Sequence, residues 1–590
     1  MTPRDTVRRG RDTTAVPIPA RPDSATADTT ARRDTTAARD TVLPPIARAP
    51  RPAALGLGGD YVWDRAAIFA SGAMTLTDLL ERVPGVTGFR TSWLVTPELI
   101  TYAGSFQRVR LFYDGVELDP LDPRTAGLQE LSKIPLWTLE EVAVERAAGE
   151  LRVHLRSWRV THTTPATRFD VATGEFNTNL FRGFYGRRFR GGQALQAGFQ
   201  QFSTTGPFGG DGDQLALFAR GGWAGRVWSV DAFVQRTRRL QESQSRRFER
   251  ADLPRLEGAA QLAYLRVGYR DPDAEGLWAQ LIASTQSFDE TTEAEPARDF
   301  GIPADSADTT RARPQYVAHA GWTRGALRVA ASTRLRAFEG ETFLSPAARA
   351  AFFTDRVQAQ LHAERAAEDS STLLDGELRF TPLERVAASV AASRRMPDGR
   401  TGRETEQALR GEVGVRVGRT WLVGGLLARD GGATGAPIVF DPSFLPAAVE
   451  SQQAVYGAVR GPVYRDVSVD LVATQWTDGG ASSLYRPHQQ LHGQLTLDTR
   501  WLGRFPSGEF GFKASVVMDY RSATTFPVGG SETIATLSST ILSGLIEVRI
   551  QDAVAYLQAR NFLALQYEQV PGFLMPRNLL VYGVRWQFWN

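Results

Sequence analysis

The chain contains no cysteine, which excludes disulfides, thiolate metal centres and cysteine nucleophiles and leaves the redox compartment open. Lysine is almost missing too. The basic residues are nearly all arginine, with Lys133 and Lys513 the only lysines, so a phosphate loop ending in Gly-Lys-Ser/Thr has nothing to build on. None of the six histidines precedes a glutamate, and no serine has glycine two residues before and two after. The zinc-protease helix and the nucleophile elbow are therefore absent. No stretch approaches the ~18 consecutive apolar residues of a spanning helix, so membrane residence would require a closed barrel. Charge of one sign is lacking as well: 68 Lys plus Arg face 65 Asp plus Glu, which gives a nucleic-acid partner no electrostatic support. The expectation is a non-enzyme without cofactor or resident metal. With 590 residues, several domains or one very large barrel are the available answers.

The N-terminal stretch, residues 1–54, consists mainly of Arg, Asp, Thr, Ala and Pro, with Arg-Asp-Thr beginning at positions 4, 11, 33 and 39. It has too few large apolar residues to offset the entropy of ordering a backbone and is expected to be disordered. Met1 to Pro50 offers no apolar run of the export-signal kind, so for an exported protein the expected start lies upstream.

Residues 55–160 read as a small mixed α/β domain. Thr75 caps a helix with Asp78 three residues on, Leu76, Leu79, Leu80 and Val83 form its apolar face, and Pro84-Gly85 stops it. Val109, Leu111 and Tyr113 alternate with Arg108 and Arg110, and Asp114-Gly115 turns this strand into Val116 and Leu118 as a hairpin. Val142 and Val144 mark another strand, and Leu151, Val153 and Leu155 alternate with Arg152, His154 and Arg156.

Residues 161–590 are a long series of alternating strands of about 9–11 residues, long enough to cross a bilayer when tilted by ~45°. Nine fall between 167 and 338 and eleven between 372 and 588. Between 339 and 371 only 355–365 reads clearly, so the count is 22 or 20. Links alternate between tight turns, as at 418 and 463, and longer loops, as at 431–451 and 564–576, the short-inside, long-outside signature of an outer-membrane barrel. The chain ends on Leu580, Tyr582, Val584, Trp586 and Phe588 along one strand face, which suits a closing strand with interfacial aromatics that pairs with the strand near Thr167.

Three blocks together carry a family resemblance: T-L-T-D-L-L-E-R-V-P-G-V (75–86), L-F-Y-D-G-V-E-L (111–118) and I-P-L-W-T-L-E-E-V-A-V-E-R (134–146). With Leu79, Leu80, Pro84, Gly85, Asp114, Gly115, Glu141, Val142, Glu145 and Arg146 as its motif residues, the chain resembles the TonB-dependent outer-membrane receptors. The final hairpin, 561–588, is similar to that family's closing segment, with Gly583, Trp586 and Phe588 at the spacing read by the barrel-assembly machinery. The resemblance implies a transmembrane barrel of 22 antiparallel strands with an α/β plug in its lumen. It also implies outer-membrane lipid as surroundings, the TonB complex as energising partner, and a small-molecule or glycan ligand, with siderophore, vitamin and glycan classes all open. The plug departs from the family in that Ala147-Ala148-Gly149-Glu150 passes almost directly into Leu151, where a glycine-rich loop is usual. An uncoupled surface-binding protein or passive pore is the alternative.

The candidate TonB box, Asp40, Thr41 and Val42 with the residues after them, competes with plain linker. Arg328, Arg334 and Arg336 share a lumenal face that would suit an anionic ligand, and His488 and His492 share a strand face that would suit a metal or another lumenal ligand; both sets also fit an ordinary wet lumen. Asp119 and Asp122 could hold a cation or belong to a solvated turn.

Overall fold

The computed structural model describes residues 41–590 except 53–54, 58–60, 207–209, 246–251, 254, 291–310, 339, 400–403, 478–483, 501–508, 530–531 and 590. Asp40, the Arg-Asp-Thr tract and most of the long loop at 288–314 lie outside the described residues.

Twenty-two antiparallel strands close into one barrel, from Ala166–Gly174 to Leu579–Trp589. The last strand pairs with the first, Phe588 opposite Thr167 and Val584 opposite Val171. The uncertain stretch supplies two strands, Glu341–Phe353 and Val357–Ala366, which settles the count at 22. The first of them is hard to read because Pro346 interrupts it and its outward positions include small alanines such as Ala348 and Ala350.

The wall is inside out relative to a soluble sheet. Along Trp228–Gln241 the exposed positions are Trp228, Val230, Ala232 and Val234, followed by Arg236 and Arg238 toward the long-loop end, while Ser229, Asp231, Gln235, Thr237, Arg239 and Gln241 are buried. Leu281, Leu361 and Val413 are about 60% exposed. A sheet that buries its polar face and presents its apolar one is stable only with hydrocarbon around it. Exposed Tyr185, Phe189, Trp223, Trp228, Phe352 and Tyr464 sit beside the short turns, and exposed Trp586 ends the closing strand at the same level, its ring 5.4 Å from that of Phe588. They form one girdle at the short-turn end.

Inside lies a five-stranded sheet in the order β1 (Val62–Asp64), β6 (Leu139–Arg146), β7 (Leu151–Ser157), β4 (Val109–Tyr113), β5 (Val116–Glu117), with a separate hairpin of β2 (Val86–Arg90) and β3 (Glu98–Tyr102). Helix α1 (Arg65–Ser71) starts on an Asp64 cap, and α2 (Leu76–Leu80) carries the expected reciprocal Thr75/Asp78 box. The helix ends at Leu80, before Val83, which is buried in the turn that follows. Between β6 and β7 the chain turns within Ala147–Glu150, the shortened connection expected from sequence. The core of this domain, with Leu79, Leu111, Val142 and Leu155, continues into inward-facing Phe184, Phe218, Phe233 and Tyr264 of the barrel.

Residues 41–52, placed by sequence in the disordered segment, are ordered against the wall. Few of their contacts come from apolar side chains, which is why composition hides them. Ile46 packs with Ala194 and Ala224, Arg188 donates to the Pro44 carbonyl at 3.0 Å, and Gln280 donates to that of Arg48 at 2.7 Å.

Candidate functional site

The turn at the tip of β4–β5 shows how the inner domain is fixed. Asp114 and Gly115 both have positive φ, 48° and 82°, the geometry of a tight hairpin turn and the reason for the Asp-Gly pair. The turn carries the Asp114 carboxylate, fully buried, to a cluster shared with the wall. Arg159 donates to its Oδ1 at 3.0 Å, Tyr264 to its Oδ2 at 2.8 Å, and Arg220 lies 3.1 Å from Oδ2; the Ser157 hydroxyl also donates to it. Asp231 of the wall completes the set, 2.9 Å from Arg159 and 3.0 Å from Arg220. Burial alone would raise the Asp114 carboxyl, but Arg159, Arg220 and Arg266 hold it well below the usual carboxylate range.

The same arrangement recurs around the lumen. Arg146 meets Glu412 at 2.6 Å, Arg110 meets Glu364 at 2.8 Å, and Glu145 accepts from Arg349 at 2.9 Å. Glu150 accepts from Arg395 at 2.6 Å, Asp78 from Arg560 at 2.5 Å and Glu81 from Arg521 at 2.8 Å. A belt of ion pairs joins the domain to the wall on many strands. Against this trend stands Glu98 on β3, whose nearest cation, Arg90, is 3.7 Å away; burial pushes its carboxyl up to about 7.

At the long-loop end the contact is apolar. Phe89 and Phe106 of the inner domain pack with Phe444, Tyr485 and Phe526 from three loops, ring centroids 5.0–5.6 Å apart. Leu445 donates its N–H to the Pro527 carbonyl at 3.1 Å, and the Tyr485 hydroxyl donates to the Leu445 carbonyl at 2.6 Å. The loops thereby cover the domain. Two cavities along the seam measure about 160 Å³, beside Arg349 and His319, and about 110 Å³, beside Arg82 and His492, and a larger hollow of about 1280 Å³ at the wall has Arg349, His362, Asp375 and Gln452 among its lining.

The sequence-derived candidates fall mainly on this seam. Of the motif residues, Leu79, Leu80 and Val142 are core, while Asp114, Glu145 and Arg146 are wall contacts and Glu141 accepts from Arg51 of the N-terminal strap. Arg334 pairs with Glu117 at 2.6 Å and Arg336 with Asp119 at 3.0 Å, so both guanidinium groups are committed to the hairpin rather than presented to the lumen. Arg328 sits apart, exposed near the short-turn end and over Phe353. The cation reading of Asp119 and Asp122 is overturned: Arg313 and Arg336 occupy the first, Arg124 and Lys133 the second, and four positive groups leave a cation no favourable place. His492 bonds through Nδ1 to Asp519 at 2.6 Å, and His488 precedes that strand. Among the described residues no group of three or more His, Cys, Asp or Glu is placed to hold a metal.

Thr41 and Val42 of the candidate TonB box lie against the linker that enters the barrel. Leu43 donates to the Thr161 carbonyl at 3.0 Å and Thr163 to that of Thr41 at 3.1 Å, with Val42 opposite His162 and 65% exposed. The strap emerges at the short-turn end, where the first barrel strand begins.

Sequence reasoning misses the wall partners Asp231, Tyr264, Glu364 and Glu412. Alternation marks them as inward-facing, but only the fold brings them opposite Asp114, Arg110 and Arg146.

No family model and no curated protein matches the chain. Solved structures do. The ferric enterobactin receptor PfeA of Pseudomonas aeruginosa superposes with a TM-score of 0.66 at 10% identity over 89% of this chain and 98% of that one. The ferric preacinetobactin receptor BauA of Acinetobacter baumannii gives 0.63 at 11% over 91% and 97%. FpvA of P. aeruginosa, solved with pyoverdines, gives 0.64 at 10% over 92% and 87%. At such identities the likeness is one of architecture, and the chain has the fold of these siderophore receptors, a 22-stranded barrel around an inner α/β domain.

Proposed function

We propose that the protein is an outer-membrane receptor whose inner domain is a plug, released by a pull on residues 41–52 from a TonB-type partner on the periplasmic side. The long loops then face outward and the short turns inward. The observation that carries this reading is the strap: it leaves the barrel beside Thr161–Thr163, is continuous with the plug through β1, and presents exposed Val42 at the mouth. A force applied there would first peel the strap from the wall. The ligand class to test first is a ferric siderophore, from the likeness to ferric enterobactin and preacinetobactin receptors. The plugged lumen argues against a passive pore, while the loops packed down on the plug favour the uncoupled surface binder as the second reading.

The deciding experiment needs no ligand. Ala148→Cys, at a buried position where the inner domain meets Ala391 and Ala408 of the wall, is labelled in cells with a thiol reagent in this otherwise cysteine-free chain. Labelling that rises with TonB present and collapses with a proton uncoupler is expected; labelling indifferent to both sinks the energised reading and leaves the uncoupled one.

A further inference from the structure

Between the C-terminal side of α2 and the wall lies a cavity of about 110 Å³, several times the ~30 Å³ that a water occupies in the liquid. Three buried nitrogens on the side chains that line it have no hydrogen-bond partner among the described residues: Nε of Arg82, Nη1 of Arg90 and Nε2 of His492. All three residues are more than nine-tenths buried. Buried polar groups of this kind cost about 1–3 kcal/mol each when unmet, more when charged, so three on one cavity mark a site built for an occupant.

The charges say which kind. Asp78 is taken by Arg560 and Arg90, Glu81 by Arg521, and Asp519 by His492. Among the described residues Arg82 has no carboxylate within ion-pair distance; Nη2 donates to the Ser71 carbonyl at 2.9 Å, and Nη1 to the neutral Gln494 amide. Arg90 Nη1 is 3.7 Å from Glu98, too far for a hydrogen bond. A buried guanidinium whose surrounding carboxylates are each bonded to another cation is left to pair with an added anion. His492 adds a second requirement: with Nδ1 engaged by Asp519, Nε2 is either a lone pair or an N–H, and an oxyanion that still carries a proton satisfies both forms.

We propose that this cavity binds a small hydrogen-bearing oxyanion of the phosphate class, held by Arg82 and Arg90 of the plug and His492 of the wall. The anion would bridge domain and barrel across the seam. It is independent of how the plug is energised.

The test is calorimetric titration of inorganic phosphate into the full-length protein in detergent micelles. One saturable site per chain is expected, with affinity reduced at least tenfold in Arg82→Gln and in His492→Asn, the latter keeping a donor for Asp519 while deleting Nε2. Folding of each variant is checked by heat-modifiable gel mobility, and should Arg82→Gln not fold, His492→Asn alone decides. Absence of saturable binding to the unaltered protein, or unchanged affinity in a folded variant, overturns the proposal and leaves the cavity to water.

Discussion

The two ends of the inner domain's surface are held by opposite chemistry. Along most of the barrel it meets the wall through ion pairs, as at Arg146–Glu412 and Arg110–Glu364, with one apolar sector where Tyr113 and Trp137 meet Phe233 and Phe218; at the long-loop end it meets three loops through five aromatic rings. The difference bears on release. A buried ion pair is weak evidence for stability, because water can replace each partner as the groups separate. An aromatic cluster gains nothing from wetting and must lose its packing outright. The ion-paired sectors of the seam are thus suited to sliding and rewetting, and the loop cluster to switching all at once.

Cutting the rings should have the largest effect. Phe526→Ala removes the ring that touches Phe89, Phe444 and Tyr485 and should cost about 3–5 kcal/mol locally, read as faster hydrogen exchange in residues 432–449 with the barrel unchanged. Slow exchange retained there would show that the rings do not hold the loops.

Next comes the seam. Asp114→Asn keeps the shape but removes the charge facing Arg159 and Arg220, with an expected loss of about 1.5–3 kcal/mol, the range for hydrogen bonds to charged groups. It should also alter the pH response. Because the Asp114 carboxyl is depressed in the folded protein, its contribution is present above the ordinary carboxylate range near ~4 and lost as the pH falls through the folded value. The Asp114→Asn variant should therefore flatten the acid limb of a denaturation series.

Glu98 sharpens the contrast with the opposite sign. Its folded value of about 7 lies above the ordinary 4.5, so the folded state holds the extra proton and stability falls as the pH rises through that window. Glu98→Gln should stabilise the domain at pH 8 by about 1–3 kcal/mol, given ~1.4 kcal/mol for each tenfold change in proton affinity, and change little at pH 4, as followed by urea denaturation at the two values. The smallest effect belongs to a surface pair. Arg365 with Asp398, both more than a third exposed, should contribute less than about 0.5 kcal/mol, so Arg365→Ala should leave the urea midpoint unmoved.

The fold is more legible in the sequence than the site. Period-two alternation survives in a barrel because each wall residue faces either lipid or lumen, and it locates twenty-one of the strands; it fails at Glu341–Phe353, where Pro346 and alanines blur the contrast between faces. In the plug, the Thr75–Asp78 box and the Asp114–Gly115 turn are local devices and read directly. The β2–β3 hairpin and the short helix α1 escape such reading, since Val86–Arg90 is buried on both faces and has no alternation. The seam is the least legible part. Asp114 can be recognised as a turn residue, but its role toward Arg220, 106 positions away, exists only once the barrel closes. The arginine-rich composition, with almost no lysine, fits what the seam needs, planar forks that bond carboxylates from two directions.

Whether the inner domain is a removable plug closing an otherwise open barrel can be read from planar-bilayer recording, comparing the intact chain with one lacking residues 41–160. A silent intact protein and a large, steady conductance after the deletion are expected; steady conductance from the intact chain, or silence from a correctly folded deletion, would contradict the plug.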